Sequence, residues 1–279
     1  MLAYLIASGF GARSAMSIER LPLQTSPEAY GLAYEDISFN SRSDGVLLKS
    51  WLIPSFKDRI IIVVNGGYQN RIDDSRATLG MTADLVAAGY NVLLFDLRGR
   101  GESAGTGRAL CNAEEDIGGA VDYVKSLGYR ADDICILGFC SGAALSCYFV
   151  SQNNVGALVL DGCFTRVPTM VIREAQDIGV PAFVTSFFIP GLWVTTRLFY
   201  DYHAIDPIDR IPDITCPIFF IHEENDAFTT TEETNELYRA SRNPQNQIWE
   251  IKGTEHSLGY LSGPEAYIEK VVGFLQRVM

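Results

Sequence analysis

One short segment constrains this chain more than any other: Ile134-Cys135-Ile136-Leu137, then Gly138-Phe139-Cys140-Ser141-Gly142, then Ala143-Ala144-Leu145. An apolar run enters a turn with glycines two before and two after Cys140, and a small-residue run leaves it. The pattern reads as buried strand, tight turn and helix. Glycine at both flanking positions removes Cβ atoms that would collide where strand and helix meet, around a turn residue expected in a strained conformation. The thiol of Cys140 is then expected above the strand end at a helix N-terminus, where free amides and the helix dipole favour an anion. The spacing is G-x-nucleophile-x-G, with cysteine where serine is usual.

The rest of the chain supplies a frame for such a turn. Asp36 to Phe39 and Val46 to Ile53 flank Ser43-Asp44-Gly45 and read as a hairpin. Further strand-like runs cover 60–64, 91–95, 134–138, 157–160, 218–221 and 247–251, and most are continuous and β-branched, as parallel strands buried on both faces should be. Helical patterns at 82–88, 114–127, 141–150, 231–241 and 264–278 fall between them. The alternation predicts an α/β fold with a mostly parallel, doubly wound sheet and an antiparallel N-terminal hairpin. Residues 1–33 read as an N-terminal extension and 34–279 as one domain. The segment from Val167 to about Pro212 carries no strand and is rich in aromatics, among them Phe187 and Trp193. It is expected to form a small helical cap over the strand ends, where open α/β sheets bind ligands.

Charge and cysteine usage narrow the functional classes. The net charge of -12 disfavours nucleic acid, whose phosphates demand a basic face. The six cysteines form no C-x-x-C pair and sit mostly in apolar runs, which predicts reduced thiols, no zinc site and a cytoplasmic setting. Gly99-Arg100-Gly101-Glu102-Ser103-Ala104 imitates a dinucleotide fingerprint, but more loop follows it, so no nicotinamide or other cofactor is expected. Leu2 to Ala12 is apolar but too short to span a bilayer. It predicts a helix packed on the domain, or a weak membrane-surface or dimer contact.

A nucleophile needs a base, and the base an orienting acid. Of three histidines, His256 follows the last strand on a glycine-bearing loop, His222 ends a strand and His203 falls in the cap. Asp226 follows the His222 strand. Cys140, Asp226 and His256 thus occur in the order nucleophile, acid, base, each after a strand. Asp161, at the end of the 157–160 strand, is an alternative acid, as are Glu223 and Glu224. His222 is expected to be hydrogen-bonded and structural, and His203 to lie on the cap surface.

Beyond the turn at Cys140, Asp96-Leu97-Arg98-Gly99-Arg100-Gly101-Glu102-Ser103 resembles the D-x-R-G-x-G-x-S turn of the α/β-hydrolases. Asn65-Gly66-Gly67-Tyr68-Gln69-Asn70-Arg71 resembles their H-G-x-x-x-N-R oxyanion loop, with Asn65 in place of histidine. The likeness covers roughly residues 35 to 279. It implies the α/β-hydrolase fold, oxyanion donors at the backbone amides of Gly67 and Ser141, and no metal. The Cys-His-Asp set is similar to that of dienelactone hydrolase and of bile-acid acyltransferases and their thioesterase relatives. The expected activity is hydrolysis of an ester or thioester of a small molecule through an acyl-cysteine. The alternatives are an acyltransferase or cyclase using the same thioester, and a silent binding protein. Tyr68, Phe187 and Trp193 are candidate substrate-contacting residues.

Overall fold

The computed structural model describes residues 2–106 and 111–279. Its eight strands are β1 (Glu35–Asn40), β2 (Leu47–Ile53), β3 (Ile60–Val64), β4 (Asn91–Phe95), β5 (Ile134–Phe139), β6 (Ala157–Asp161), β7 (Ile218–Glu223) and β8 (Gln247–Ile251). They form one sheet in the order β1-β2-β4-β3-β5-β6-β7-β8. β2 is antiparallel to both β1 and β4, and every later pairing is parallel. This is the α/β-hydrolase fold.

Alternation along the strands sorts the core into two layers. Ile60, Ile62 and Val64 pack with Ile136, Leu158 and Phe220 against α3 (Ala113–Ser126) and α4 (Ser141–Val150). Ile61 and Val63 pack with Leu137, Val159 and Phe219 against α2 (Thr78–Ala87) and the last helix, Pro264–Val278. With both faces covered, β3, β4, β5 and β6 are buried along their whole length, which explains why they lack polar alternation. The register aligns Val64 with Gly138, and Phe139 with Asp161. The loops that follow β3, β5, β6 and β7 therefore emerge at one edge.

The aromatic segment forms α5 (Val167–Asp177) and α6 (Ala182–Tyr200), as a helical cap should. The N-terminal helix α1 (Leu2–Met16) runs four residues past the expected Ala12 and packs on α6. Pro190 interrupts the α6 backbone ladder, because proline has no N–H and its ring crowds the preceding turn. One residue on, the Gly191 N–H donates to the Tyr4 hydroxyl at 3.1 Å, and that hydroxyl donates to the Phe187 carbonyl at 2.9 Å. A side chain of α1 is thus inserted between the i and i−4 groups of α6. Ser8 lies against Gly191, and Leu192 against Gly11, so the two helices run parallel. Helix α2 begins at Thr78 rather than Thr82. Gly80 hides the helical pattern of that first turn, yet Leu79 and Met81 bury it.

At the turn after β5, backbone meets backbone closely. A Cβ on Gly142 would fall well inside van der Waals contact with the Val64 carbonyl oxygen. A Cβ on Gly66 would do the same to the Phe139 carbonyl. Neither obstacle is a side chain that can turn aside. Gly142→Ala is therefore expected to cost at least about 1–3 kcal/mol, the usual penalty of overpacking. Urea denaturation would measure it, and a loss below about 0.5 kcal/mol would contradict the contact.

Candidate active site

Cys140 sits between β5 and α4 with φ 52° and ψ -120°, a strained left-handed turn for a side chain that bears a Cβ. Its N–H donates to the Asp161 carbonyl at 2.9 Å, which fastens the turn to the next strand. It is partly exposed, whereas the other five cysteines are buried, and no disulfide joins any of them among the described residues. Burial pushes the Cys135 and Cys216 thiols up, away from ionisation.

The close approach of Gly66 to α4 sets the Gly67 and Ser141 amides next to each other. The Gly67 N–H donates to Ser141 Oγ at 2.7 Å. Gly67 itself has φ 59°, with open space where a side chain would be. Its carbonyl accepts from Arg100 Nε at 3.1 Å and Nη2 at 2.8 Å. The loop is pinned from behind as well. Asn65 Nδ2 donates to the Asn70 carbonyl at 2.9 Å, which is what the residue in place of histidine does here. Arg71, 1% exposed, pairs with the buried Asp96 at 3.2 Å, also binds Glu102, and lies over the Trp51 ring. The two motifs that resemble the hydrolases are thereby bonded to each other.

His256 and Asp226 meet across two different loops. His256 Nδ1 lies 2.6 Å from Asp226 Oδ2. Asp226 Oδ1 accepts from the Phe228 N–H at 2.7 Å and the Thr229 N–H at 2.8 Å, and Oδ2 accepts from the Thr229 hydroxyl at 2.5 Å. Burial raises the carboxyl's pKa, but His256 and these donors outweigh it, so Asp226 is held below the usual carboxylate range. Burial likewise opposes a charge on His256. Asp226 and the neighbouring Cys140 side chain outweigh that, and the imidazolium is raised to about 10. The Phe228 ring packs 5.1 Å from the imidazole. His256 Nε2 makes no complete hydrogen bond in the resting site and is the ring nitrogen left for the thiol.

The other candidates lie elsewhere. His222 Nε2 is 3.0 Å from Thr231 Oγ1, and burial lowers its pKa, consistent with a structural residue. His203 is half exposed, 3.7 Å from Asp201. Glu224 pairs with Lys252 at the surface. Asp161 is fully buried and accepts from the Tyr267 hydroxyl at 2.7 Å, so it holds the frame rather than His256 Nδ1. Beside it Glu223 is also fully buried. Burial and the adjacent Asp161 raise the Glu223 pKa strongly, and burial raises that of Asp161 as well.

A cavity lies against the Gly67 and Ser141 amides. Gly67, Tyr68, Ser141 and Trp193 line it, with Met16 and Leu192 from α1 and α6. Its charged lining residues are Arg100 and Glu174, which sequence reasoning did not single out. Arg100 occupies a variable position of its turn, and Glu174 is one carboxylate on an ordinary amphipathic helix. Phe187 does not reach this cavity. Its ring lies edge-on against Tyr4 and is 64% exposed. A larger, more open depression lined by Glu114, Tyr148, His203 and Arg210 contains none of the catalytic candidates. No cluster of three or more potential metal ligands occurs among the described residues.

A model of the alpha/beta hydrolase family matches residues 61–270, and the chain belongs to that family. It is 26% identical over 265 residues to the alpha/beta hydrolase domain-containing protein WAV2 of Arabidopsis thaliana, covering 90% of this chain and 81% of that one. It is 26% identical to the lysophosphatidylserine lipase ABHD12 of Macaca fascicularis over 64% of this chain and 44% of the relative. Among solved structures, the Pyrococcus furiosus esterase Pf2001 superposes with a TM-score of 0.80 at 24% identity, covering 95% of this chain and 98% of that one.

The raised pKa of Glu223 gives a test of this charge arrangement. A carboxyl with a raised folded pKa contributes fully below its ordinary value of 4.5. Above that, the unfolded chain releases the proton while the folded one keeps it, and stability falls as pH rises toward the folded pKa. Glu223→Gln removes this slope. The variant should therefore gain on the wild type from pH 5 to pH 9, by at most about 1.4 kcal/mol per pH unit. Denaturation curves that stay parallel across that range would contradict a raised pKa at Glu223.

Proposed function

We propose that this protein hydrolyses a carboxylic ester or thioester through a covalent acyl-cysteine intermediate. The observation that carries the reading is the 2.6 Å bond from His256 Nδ1 to a buried, ionised Asp226, which leaves Nε2 for the Cys140 side chain. Cys140 at the left-handed turn, beside the Gly67 and Ser141 amides, supplies the other half of the chemistry. The similar proteins point the same way, since they include an esterase and a lipase.

In this mechanism Nε2 of His256 takes the thiol proton, which its raised imidazolium pKa favours, and Sγ adds to the substrate carbonyl carbon. The carbonyl oxygen becomes an oxyanion and accepts from the Gly67 and Ser141 N–H groups. The Ser141 hydroxyl, which holds the Gly67 amide at rest, turns away to admit it. Collapse breaks the bond to the leaving group, which departs with the proton from His256. A water then gives its proton to Nε2 and adds to the thioester carbon. The acid is released and Sγ recovers its proton. Asp226 keeps the imidazole oriented and stabilises its charged form throughout. Tyr68 and Trp193 line the space for the acyl group, which is uncharged and mainly apolar.

Initial rates on p-nitrophenyl acetate, butyrate and octanoate test the assignment. Cys140→Ala and His256→Ala should keep native circular dichroism and lose roughly 10²–10⁴-fold or more in kcat/KM. Because the other cysteines are buried, iodoacetamide should label Cys140 first and stop turnover. Wild-type rates in Cys140→Ala would overturn the mechanism. Turnover that requires an added amine or thiol acceptor would make the protein a transferase.

A further inference from the structure

The outward face of the cap is built unlike the rest of this acidic chain. On α6, Phe183, Phe187, Pro190, Val194 and Leu198 are exposed at steps of four, three, four and four, which places them on one stripe. Phe183 is 76% and Leu198 72% exposed. On α1, Ile6 and Phe10 are exposed as well, while Ser8, Ala12 and Met16 turn inward. Neither helix carries a carboxylate. Their charged residues are Arg13 and Arg197, both exposed, and neither has an ion-pair or hydrogen-bond partner for its guanidinium among the described residues. Because α1 and α6 run parallel with Tyr4 beside Phe187 and Ser8 beside Gly191, the two arginines fall at the same end of the pair.

We propose that this two-helix face docks on the surface of an anionic lipid bilayer. Apolar stripes that lie outward would enter the headgroup–acyl boundary. The paired arginines at one end would meet lipid phosphates while their stems rest on the apolar layer. The charge argues for this occupant: a chain of net charge -12 keeps every acid off these two helices and leaves two arginines there unpaired. Helix α6 is long and apolar enough to cross a membrane by length and composition. Its Thr185, Gly191, Thr195 and Thr196 are nevertheless buried against the protein, so it lies along the surface rather than through it. The inner faces of the same helices line the cavity beside Gly67 and Ser141. A docked molecule would therefore hold that cavity just above the lipid.

Vesicle co-sedimentation tests this without using activity. Cys140→Ala, which carries no covalent chemistry, should bind like the wild type, so failure here is separable from failure of the hydrolase reading. Vesicles of phosphatidylcholine with a quarter phosphatidylglycerol should pellet the protein, and pure phosphatidylcholine should do so less. Phe10→Asp with Leu198→Asp should lower binding at least about tenfold. Arg13→Ala with Arg197→Ala should lower it on anionic vesicles alone, by about fivefold per charge. Thermal melting and Cys140 alkylation at wild-type values would show that the variants are folded. No pelleting by either vesicle would overturn the proposal. So would a wild-type dimer in sedimentation velocity that the Phe10→Asp, Leu198→Asp variant abolishes while vesicle binding is unchanged.

Discussion

Everything at this site depends on a contact between main chains. The loop after β3 and the first turn of α4 approach so closely that Gly66 and Gly142 can carry no Cβ. That contact places the Gly67 and Ser141 amides together and sets the strained turn on which Cys140 projects. Strain of this kind persists only when its surroundings over-determine it. Here they do. The Asp161 carbonyl holds the Cys140 N–H, Arg100 holds the Gly67 carbonyl, and the buried Arg71–Asp96 pair anchors the loop from behind. Removing one partner of that pair would leave a buried charge uncompensated.

Behind the imidazole three acids stand close together, and the fold shifts their pKa values in different directions. Asp226 receives two backbone N–H groups, a hydroxyl and the His256 ring, and stays ionised. Glu223 receives no such donors, and burial beside Asp161 raises its pKa strongly. One negative charge therefore faces His256 directly. Asp161, buried beside Glu223, accepts from the Tyr267 hydroxyl instead. Asp226 thus bonds the His256 ring, and Asp161 bonds Tyr267.

Much of this was legible in the sequence, for identifiable reasons. Glycines bracketing Cys140 after an apolar run admit few backbones, and alternating strands and helices admit few topologies, so the sheet and the order Cys140, Asp226, His256 followed. Distinguishing Asp226 from Asp161 rested on loop offset alone, and the hydrogen bonds now give the physical reason. Phe187 was beyond reach. Helix α6 is apolar on nearly all sides, so its composition does not separate the face toward the cavity from the face toward solvent, and nothing local announces that α1 will cover it. The insertion of Tyr4 into the α6 ladder spans 183 residues of sequence and leaves no local pattern. Arg100 and Glu174 acquire meaning only when the loops close around the cavity.

The central claim is that the acyl group passes through the sulfur of Cys140. The direct measurement is acid quench of the enzyme during turnover of p-nitrophenyl acetate, followed by intact-mass and peptide mapping. The account predicts a single added acetyl group on the peptide that contains Cys140. It also predicts that the adduct is absent in Cys140→Ala. Sustained turnover with no adduct on Cys140 at any quench time, or an acetyl group on Ser141 instead, would contradict it.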